Sequence, residues 1–340
     1  MKKILVVGAT GGMGRYLTRE LLDMGYAVDG ISLESAVSDH ENLTYYRENW
    51  SDDAVMDKFL ANGYDGIVDF LHYSAAKFET RMEKILKNTK HLIFLSSYRV
   101  YANEQVPVTE TAPHLLEVLK GKDEEYLATN EYALEKSRTE NLLKNSGYKN
   151  WTIVRPAIVI SASHVKLCNL EVGPILNRAA EGKPTLLPIQ AKHAHAGLIW
   201  AGDAGKLMAK LLLNEKAYGE AFTLGSAEVN TWENVVSYFE EIVGLIPIWI
   251  DKEDHLKIMA PNEDFMRISH RRGLEYDRMY DRLLDNSKVL SVTGMKQSEL
   301  MPVKKAFETE LAFVPKGPVW DLQRDVCDRM EEYVVKHHLI

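Results

Sequence analysis

The sequence is poor in the features that mark secreted and nucleic-acid-binding proteins. It has only two cysteines, Cys168 and Cys327, which lie far apart and in no metal-binding spacing. We therefore expect two free thiols in a reducing cytoplasm, not a disulfide framework. Basic residues are outnumbered, 41 against 49 acidic ones, and the formal net charge is -8. Because proteins that grip phosphate backbones are usually basic, we expect no nucleic-acid partner.

Long hydrophobic runs are missing as well. No apolar stretch reaches the length that spans a bilayer, so we expect no membrane association. The apolar run after Met1-Lys2-Lys3 is too short for a signal peptide and stops at Gly8, which predicts a first strand instead. With 340 residues, 46% of them hydrophobic, the chain has the composition of a globular protein with one large or two unequal domains.

A glycine-rich turn follows the first predicted strand. The turn reads Gly8-Ala9-Thr10-Gly11-Gly12-Met13-Gly14, and a helical pattern with leucines on one face comes after it. Strand, glycine turn and helix in this order are typical of a dinucleotide site. The glycines allow a tight turn, close approach of the pyrophosphate to the backbone and close helix packing, while the helix N-terminus favours phosphate.

Six short apolar runs alternate with helical stretches. The runs are Lys3–Val7, Gly25–Ser32, Leu43–Arg47, Ile67–His72, Leu92–Ser97 and Trp151–Pro156. This alternation predicts an α/β fold with a doubly wound parallel Rossmann sheet. Ligands of such sheets bind beyond the carboxyl ends of the strands, so Gly11, His72, Ser97 and Pro156 should converge.

The regular alternation fades after Ser161. We expect residues 1–160 to form the dinucleotide-binding domain, with residues 195–225 returning to it through a helix (203–213) and a strand (221–224). Residues 161–194 and 226–340 should form a smaller, mixed α/β lobe that binds substrate. Thr231 is the expected N-cap of a helix in this lobe.

A helix free of glycine and proline is predicted over residues 130–145. Tyr132 and Lys136 are four residues apart in it and so share one face. A nearby ammonium favours the phenolate, so the pKa of Tyr132 should fall and its oxygen could exchange a proton near neutral pH. The pattern is weak alone, since Tyr73 and Lys77 repeat it where a cofactor should lie. The glycine turn and the Ser96-Ser97 pair in the same chain are what favour a catalytic role for Tyr132.

Taken together, these motifs resemble the extended short-chain dehydrogenase/reductases, the NAD-dependent epimerase/dehydratase group. The resemblance is carried by Gly8-x-x-Gly11-x-x-Gly14, Ser96-Ser97-Tyr98-Arg99-Val100-Tyr101, Tyr132-x-x-x-Lys136 and Arg155-Pro156. It covers residues 1 to about 160 well and is weaker at 201–203, at 219–225 and beyond.

The resemblance implies three catalytic residues. Ser97 would hold the substrate hydroxyl, Tyr132 would be the acid/base, and Lys136 would lower its pKa while binding the nicotinamide ribose. The implied cofactor contacts, with Asn49 and Trp50 flanking the adenine, are Gly8, Thr10, Gly11, Gly12, Met13, Gly14, Ser32, Asn49, Trp50, Phe70, Leu71, His72, Ser96, Tyr132, Lys136 and Pro156. A homodimer through the helix around Lys77–Lys90 and the Tyr132 helix is also implied.

Three departures from the family pattern narrow the chemistry. Tyr98 and Arg99 stand where 4,6-dehydratases carry an Asp-Glu pair, and water elimination needs a proton donor and an acceptor there, so we exclude that reaction. Ile158 replaces an Asn that meets the diphosphate in many sugar-nucleotide enzymes, which argues against a UDP-sugar. His72 and Tyr73 replace small residues and resemble an atypical branch that includes chloroplast stem-loop-binding proteins, some of which have drifted toward RNA binding.

The choice of dinucleotide depends on the end of the second strand. Ser32 stands where an acid usually binds the adenosine ribose, so the usual block against NADP is missing. Glu34 and Asp39 follow it, however, and Arg15 is the only nearby cation that we identify. Because an unpaired phosphate is costly, we expect NAD, with NADP as the alternative.

The sequence therefore predicts an NAD-dependent epimerase that acts on a secondary hydroxyl of a sugar or sugar nucleotide through a transient ketone. An NAD(P)H-dependent ketone or sugar reductase is the nearest alternative. The alternative from another functional class is a cofactor-bound protein that is non-catalytic or RNA-associated. His193 and His195 alternate as metal ligands do, but they lack a third ligand, so no metal is expected. The arginines at 267, 271 and 272 suit either a solvated charge run or a phosphate clamp.

Overall fold

The computed structural model describes residues 1–262, 265–315, 321 and 323–339. The strands are β1 (Lys3–Val7), β2 (Ala27–Ser32), β3 (Leu43–Arg47), β4 (Tyr64–Asp69), β5 (Thr89–Leu95), β6 (Trp151–Pro156), β7 (Ile158–Ile160), β8 (Pro184–Pro188), β9 (Leu198–Trp200), β10 (Glu220–Leu224) and β11 (Ile246–Ile250). The α-helices are α1 (Gly12–Asp23), α2 (Asp53–Leu60), α3 (Ala75–Lys87), α4 (Leu115–Val118), α5 (Glu124–Leu127), α6 (Tyr132–Asn145), α7 (Arg178–Ala180), α8 (Ala201–Leu211), α9 (Trp232–Val243), α10 (Lys252–Met259), α11 (Phe265–Gly273), α12 (Ser287–Thr293), α13 (Val303–Leu311) and α14 (Arg324–His337).

The chain divides into two compact units. Unit 1 comprises Met1–Val159, Ile199–Ser226 and Asp285–Met301, and unit 2 comprises Ile160–Leu198, Ala227–Leu284 and Pro302–Ile340. Residues 285–301, which we expected in the second lobe, lie in unit 1. There the Asn286 side chain donates to the Gly225 carbonyl at 3.0 Å, a long-range contact that sequence periodicity does not reveal.

Unit 1 is built on a seven-stranded parallel sheet in the order β10-β6-β5-β4-β1-β2-β3. The interior strand β1 is buried from Ile4 to Val7, as expected of an apolar, β-branched run covered on both faces. The predicted doubly wound Rossmann fold is therefore confirmed. Strands β4 and β5 end at Asp69 and Leu95, earlier than predicted, so His72 and Ser97 lie in the loops beyond the strands.

Close packing of α1 depends on two glycines. A Cβ at Gly14 would lie 2.1 Å from the Gly8 carbonyl oxygen, which no side chain permits. A Cβ at Gly205 of α8 would lie 2.7 Å from the Leu17 backbone nitrogen in α1. Helices α1 and α8 therefore touch through backbone, and α1 starts directly beneath the glycine turn.

Helix α6 carries Tyr132 at its first position. Its N-cap is Glu131, whose Oε2 accepts from the Ala133 N–H at 2.7 Å and from the Tyr126 hydroxyl at 2.8 Å. A carboxylate also suits the positive end of the helix dipole. Glu135, one turn further on, accepts from the N–H of Ala75 at 2.6 Å and so ties α6 to α3.

Unit 2 contains the parallel pair β8 and β11 with helices around it. Thr231 caps α9 in a reciprocal capping box with Asn234, as the sequence predicted. The buried Arg178 donates to the carbonyl oxygens of Pro184 and Cys327 and to the Glu331 carboxylate, so its guanidinium is held by partners inside the unit. In the part of the chain that the structure describes, no helix is long and apolar enough to cross a membrane.

Candidate active site

The glycine turn forms a narrow backbone loop between β1 and α1. Gly8 has a φ of 88°, which favours glycine, and its N–H donates to the Ile31 carbonyl at 2.8 Å. Gly11 is the N-cap of α1 and has no side chain with which to cap the helix. The N–H groups of the first turn, at Gly12 and Met13, could therefore bind phosphate oxygens.

Thr10 and Ser32 connect this turn to the end of β2. Their hydroxyl oxygens are 2.5 Å apart. The Glu34 N–H donates to the Ser32 hydroxyl at 3.4 Å, so the carboxylate of Glu34 starts close to the strand end. The end of β2, where we expect the adenosine ribose, thus carries a hydroxyl, with an acid two residues away.

Arg47 is a cation at the same strand end that sequence reasoning missed. It pairs with Ser32 in the register of β2 and β3, and its Nε donates to the Leu33 carbonyl at 3.2 Å. The sequence alone indicates Arg15 as the nearby cation. Aligning the end of β3 with the end of β2 would have revealed Arg47 from the sequence. Asn49, two residues further on, is exposed.

The two serines after β5 have different surroundings. Ser97 accepts from the Arg99 N–H at 3.2 Å and begins the short 3-10 helix Tyr98–Val100. Ser96 is buried and donates to Glu140 Oε1 at 2.5 Å. The Ser96 hydroxyl is therefore bound within the protein interior, and its N–H donates to the Val154 carbonyl at 2.8 Å, so only its carbonyl is left for the expected cofactor contact.

Glu140 is the centre of a buried polar cluster. Arg155 donates to both of its carboxylate oxygens, at 2.8 and 2.6 Å, and donates to the Tyr101 hydroxyl at 2.7 Å. Burial opposes ionisation of Glu140, but the Arg155 guanidinium outweighs it and holds the pKa of Glu140 at about 2. Through Ser96, Glu140 and Arg155 this cluster joins the end of β5 to α6 and β6. Glu140 is one helical turn from Lys136 on α6, so the cluster helps to fix the position of that helix.

Tyr132 lies beside Ser97, Arg99 and His72. Burial raises its pKa, against which the charge of Arg99 and a hydrogen bond with Ser97 favour the phenolate. The expected fall of the Tyr132 pKa next to Lys136 was therefore wrong, because desolvation is the larger effect. Lys136 Nζ lies 5.7 Å from the centroid of the Tyr132 ring, and the His72 ring centroid is 5.0 Å away.

Lys136 is directed toward the carboxyl ends of β4 and β5. Its Nζ donates to the Leu95 carbonyl at 2.6 Å and to the Leu71 carbonyl at 3.3 Å. Burial lowers its pKa to about 8, while the nearby Asp69 and Glu140 carboxylates oppose this shift. The Lys136 ammonium is thus held in place by two backbone carbonyls, and a ligand at this strand end could accept a further hydrogen bond from it.

Ser97, Tyr132 and Lys136 are thus brought together at the carboxyl edge of the sheet, as predicted. Phe70 is also near the glycine turn, since a Cβ at Gly8 would lie 3.1 Å from the Phe70 Cβ. Pro156 ends β6 and pairs in register with Leu224 of β10. These residues lie at or just beyond the carboxyl ends of parallel strands, where dinucleotides bind in folds of this type.

One predicted cofactor contact fails because its side chain is buried. The Trp50 indole is in the core and donates to Asp69 Oδ2 at 3.2 Å, so it cannot flank an adenine. Tyr73 is also in the core, and its hydroxyl donates to Asp69 at 2.5 Å. Lys77, four residues later, instead binds Asp53 of α2 at 3.0 Å. The second Tyr-x-x-x-Lys pattern is therefore not a catalytic site, as expected from its position in the sequence.

The remaining candidates lie in unit 2. His195 Nδ1 is 2.8 Å from Asp281, and His193 Nδ1 is 3.5 Å from Glu233. Among the described residues, no group of three or more His, Cys, Asp or Glu side chains could hold a metal ion. Arg271 forms two hydrogen bonds with the Glu253 carboxylate, at 2.7 and 2.6 Å, so it is paired within the protein.

The sequence is similar to a nucleotide-binding family over about half of its length. Residues 8–175 match a family model described as NAD(P)H-binding. A chloroplast stem-loop binding protein of 41 kDa from Arabidopsis thaliana is 24% identical over 253 residues, which cover 69% of this chain. The match spans 61% of the length of that curated relative.

Solved structures share the fold at low sequence identity. The Bordetella bronchiseptica enzyme WbmH, solved in complex with NAD+, has a TM-score of 0.66 at 18% identity and covers 92% of this chain and 98% of its own. A Thermus thermophilus UDP-glucose 4-epimerase, solved in complex with NAD, has a TM-score of 0.64 at 14% identity, with 91% and 98% covered. Residues 8–175 of the chain are thus similar to an NAD(P)H-binding family, and the chain shares the fold of these two solved structures.

Proposed function

We propose that this protein is an NAD-dependent epimerase that acts on a secondary hydroxyl of a sugar-like substrate through a transient ketone. The observation that carries the proposal is the convergence of Ser97, Tyr132 and Lys136 beside the glycine turn. Each of these side chains matches one requirement of alcohol oxidation: a hydroxyl to orient the substrate, a phenol to move its proton and an ammonium to bind a ribose.

In the proposed arrangement, the N–H groups of the glycine turn hold the pyrophosphate, and Lys136 holds the ribose next to the nicotinamide. When bound, a dinucleotide would supply reversible hydride transfer between the alcohol and the ketone, and inversion would require the ketone to turn between the two transfers. Ser97 orients the substrate hydroxyl. Tyr132 takes the hydroxyl proton in the first half of the reaction and gives it back in the second, so no proton is gained or lost overall.

The sugar-like substrate is the less defined part of the proposal. The WbmH structure and the UDP-glucose 4-epimerase structure are described with NAD, and the latter acts on a UDP-sugar by its name. Ile158, which is buried, does not offer the amide expected for a diphosphate. We therefore propose a sugar or sugar derivative and assign its selection to unit 2, within a cytoplasmic protein.

Substitution of Tyr132 tests the mechanism. Tyr132→Phe removes the group that moves the proton and should lower turnover by about two to four orders of magnitude, while dinucleotide affinity stays the same. Tyr148→Phe is the matched control, because its hydroxyl donates to Glu83 at 3.3 Å near the protein surface and should not affect the rate. Undiminished turnover in Tyr132→Phe would disprove the proposal.

A reductase is the second candidate, since the same three residues serve net ketone reduction. The two differ in how they treat the dinucleotide: an epimerase regenerates it in each cycle and need not release it, whereas a reductase must exchange it. Protein purified without added cofactor should therefore contain bound dinucleotide, as detected by mass spectrometry after denaturation. Protein that is empty but binds the reduced dinucleotide reversibly would favour the reductase.

A third candidate is a stem-loop RNA-associated protein without turnover. The name of the Arabidopsis relative is the observation that favours it. The acidic balance of the chain, with a net charge of -8, opposes tight binding to a phosphate backbone. Binding of a labelled stem-loop at physiological salt, combined with no turnover on any sugar tested, would favour this candidate over both enzymes.

A further inference from the structure

A second cation lies beside Tyr132, on a different element from Lys136. The Arg99 guanidinium carbon is 5.7 Å from the Tyr132 ring centroid, the same distance as Lys136 Nζ. Arg99 belongs to the 3-10 helix that begins at Ser97, and its N–H donates to the Ser97 hydroxyl at 3.2 Å. Arg99 is therefore connected to two of the three proposed catalytic residues.

The Arg99 side chain is held by Glu131, the N-cap of α6. Its Nη2 donates to Glu131 Oε1 at 2.7 Å, and the two side chains are 20% and 13% exposed. The other Glu131 oxygen is occupied by the Tyr126 hydroxyl and the Ala133 N–H. Because the carboxylate is fixed by these donors, the guanidinium loses little freedom when charge develops nearby, which is the condition for electrostatic preorganisation.

Lys136 alone does not provide a permanent positive charge at this position. Its Nζ is directed at the Leu95 and Leu71 carbonyls, and burial lowers its pKa to about 8. A guanidinium remains protonated throughout the range in which proteins are stable. Arg99 is thus the cation beside Tyr132 whose charge does not change with pH.

We propose that Arg99 is a positioning residue of this site: its guanidinium, held by Glu131, places a constant positive charge against the Tyr132 ring and stabilises the phenolate. This inference rests on the proposed function for its role in turnover. The groups that face Tyr132 are Arg99 and Ser97 from the loop after β5, His72 from the loop after β4, and Glu131 and Lys136 from α6. Glu131 opposes ionisation of the phenol, and Arg99 and Ser97 favour it.

The test is the ionisation of Tyr132 itself, which requires no substrate. Phenolate absorbance is recorded in stopped-flow jumps from about pH 7 to about pH 12, before alkaline unfolding, and the Tyr132→Phe signal is subtracted. Arg99→Met should shift the Tyr132 midpoint to higher pH. Arg99→Lys keeps the positive charge, so its Tyr132 midpoint should lie between those of the wild type and Arg99→Met.

Arg138→Met is the matched control, since it removes a guanidinium from α6, the helix that carries Tyr132. Arg138 is held by Glu135 at 2.5 Å and by the Leu127 and Thr129 carbonyls. It should leave the Tyr132 midpoint unchanged. A wild-type midpoint in Arg99→Met, or an equal shift in Arg138→Met, would overturn the proposal.

Two further measurements separate a charge effect from a structural one. If circular dichroism shows that Arg99→Met does not fold, Arg99→Gln replaces it, because the glutamine amide can still donate to Glu131. A higher Tyr132 midpoint in this variant would support the proposal, and a wild-type midpoint would overturn it. With a substrate in hand, Arg99→Met should lower turnover at neutral pH by about tenfold and recover with rising pH. A shifted Tyr132 midpoint in a protein that turns over no substrate would uphold this inference and reject the proposed function.

Discussion

At the scale of single residues, neighbours decide what a side chain does. Tyr73 and Tyr132 stand in the same sequence pattern, but Tyr73 is buried against the Asp69 carboxylate, and burial raises its pKa far above the ordinary range. Tyr132 instead has Arg99 and Ser97 beside it, which both favour its ionised form. Only Tyr132 can therefore be expected to exchange a proton with a ligand.

The choice of dinucleotide is a prediction at this scale. The Glu34 carboxylate can accept from a free ribose hydroxyl, while Arg47 is already bound to the Leu33 carbonyl at 3.2 Å. We therefore expect NAD to bind more tightly than NADP in parallel titrations. Glu34→Ala should weaken NAD binding by about tenfold, the effect of one charge-assisted hydrogen bond.

Asp39→Ala is the matched control for this titration. Asp39 is highly exposed and faces Arg19 at 3.8 Å, so its loss should leave both affinities unchanged. NADP binding ten times more tightly than NAD would contradict the prediction. In that case Arg47→Ala and Arg15→Ala would identify which cation holds the additional phosphate.

At the scale of elements, buried polar residues join the strands of unit 1. His91 of β5 accepts from the Leu213 N–H through Nδ1 at 2.8 Å, and its Nε2 is 2.8 Å from the Thr152 hydroxyl of β6. Because Nδ1 is an acceptor, the ring must be neutral with its proton on Nε2. If Nδ1 were protonated, its N–H would face the Leu213 N–H, and these two donors would have no acceptor between them.

This geometry predicts loss of stability in acid. Burial lowers the pKa of His91 to about 3, so between pH 6.5 and about 3 the unfolded chain binds a proton that the folded chain does not. The free energy of unfolding must then fall as the pH falls. Between pH 7 and pH 5 His91 should contribute a loss of about 2 kcal/mol, measured by urea unfolding.

The variant His91→Asn isolates this contribution. Its amide oxygen can still accept from the Leu213 N–H, but it does not titrate, so the loss between pH 7 and pH 5 should shrink by about 2 kcal/mol. His193→Gln is the control, because His193 is exposed and should leave the difference unaltered. An unchanged pH dependence in His91→Asn would show that other buried groups cause the acid sensitivity.

At the scale of the whole molecule, the chain supplies unit 1 from three separate segments, and the site residues come from its first 156 residues. The segments 199–226 and 285–301 complete the sheet with β10 and add α8 and α12. Truncation after the first segment would therefore remove a strand of the sheet as well as unit 2.

The predicted homodimer belongs to this scale. We expect two copies to associate through α3 and α6 about a two-fold axis, with micromolar protein running as a dimer in light scattering. Thr80 is exposed on α3, so Thr80→Arg should yield monomers that remain folded. Thr44→Arg is the matched control, because Thr44 is exposed on the edge strand β3. A wild-type protein that is monomeric at this concentration would refute the dimer.

The sequence by itself determined the backbone framework of the site. The spacing of Gly8, Gly11 and Gly14 predicts the turn, and the alternation of strands and helices predicts a parallel sheet whose carboxyl edge gathers Ser97, Tyr132 and Lys136. These features follow from local rules: which residues tolerate a positive φ, which face a side chain takes, and where parallel strands end.

Only the tertiary structure decided the electrostatic and solvation state of those residues. It directed Lys136 to two backbone carbonyls, committed the Ser96 hydroxyl to Glu140 and buried the Trp50 indole against Asp69. It also placed Arg99 beside Tyr132 across more than thirty residues of sequence. The physical reason is that desolvation and charge interactions depend on distances between atoms far apart in the chain, and local spacing does not determine those distances.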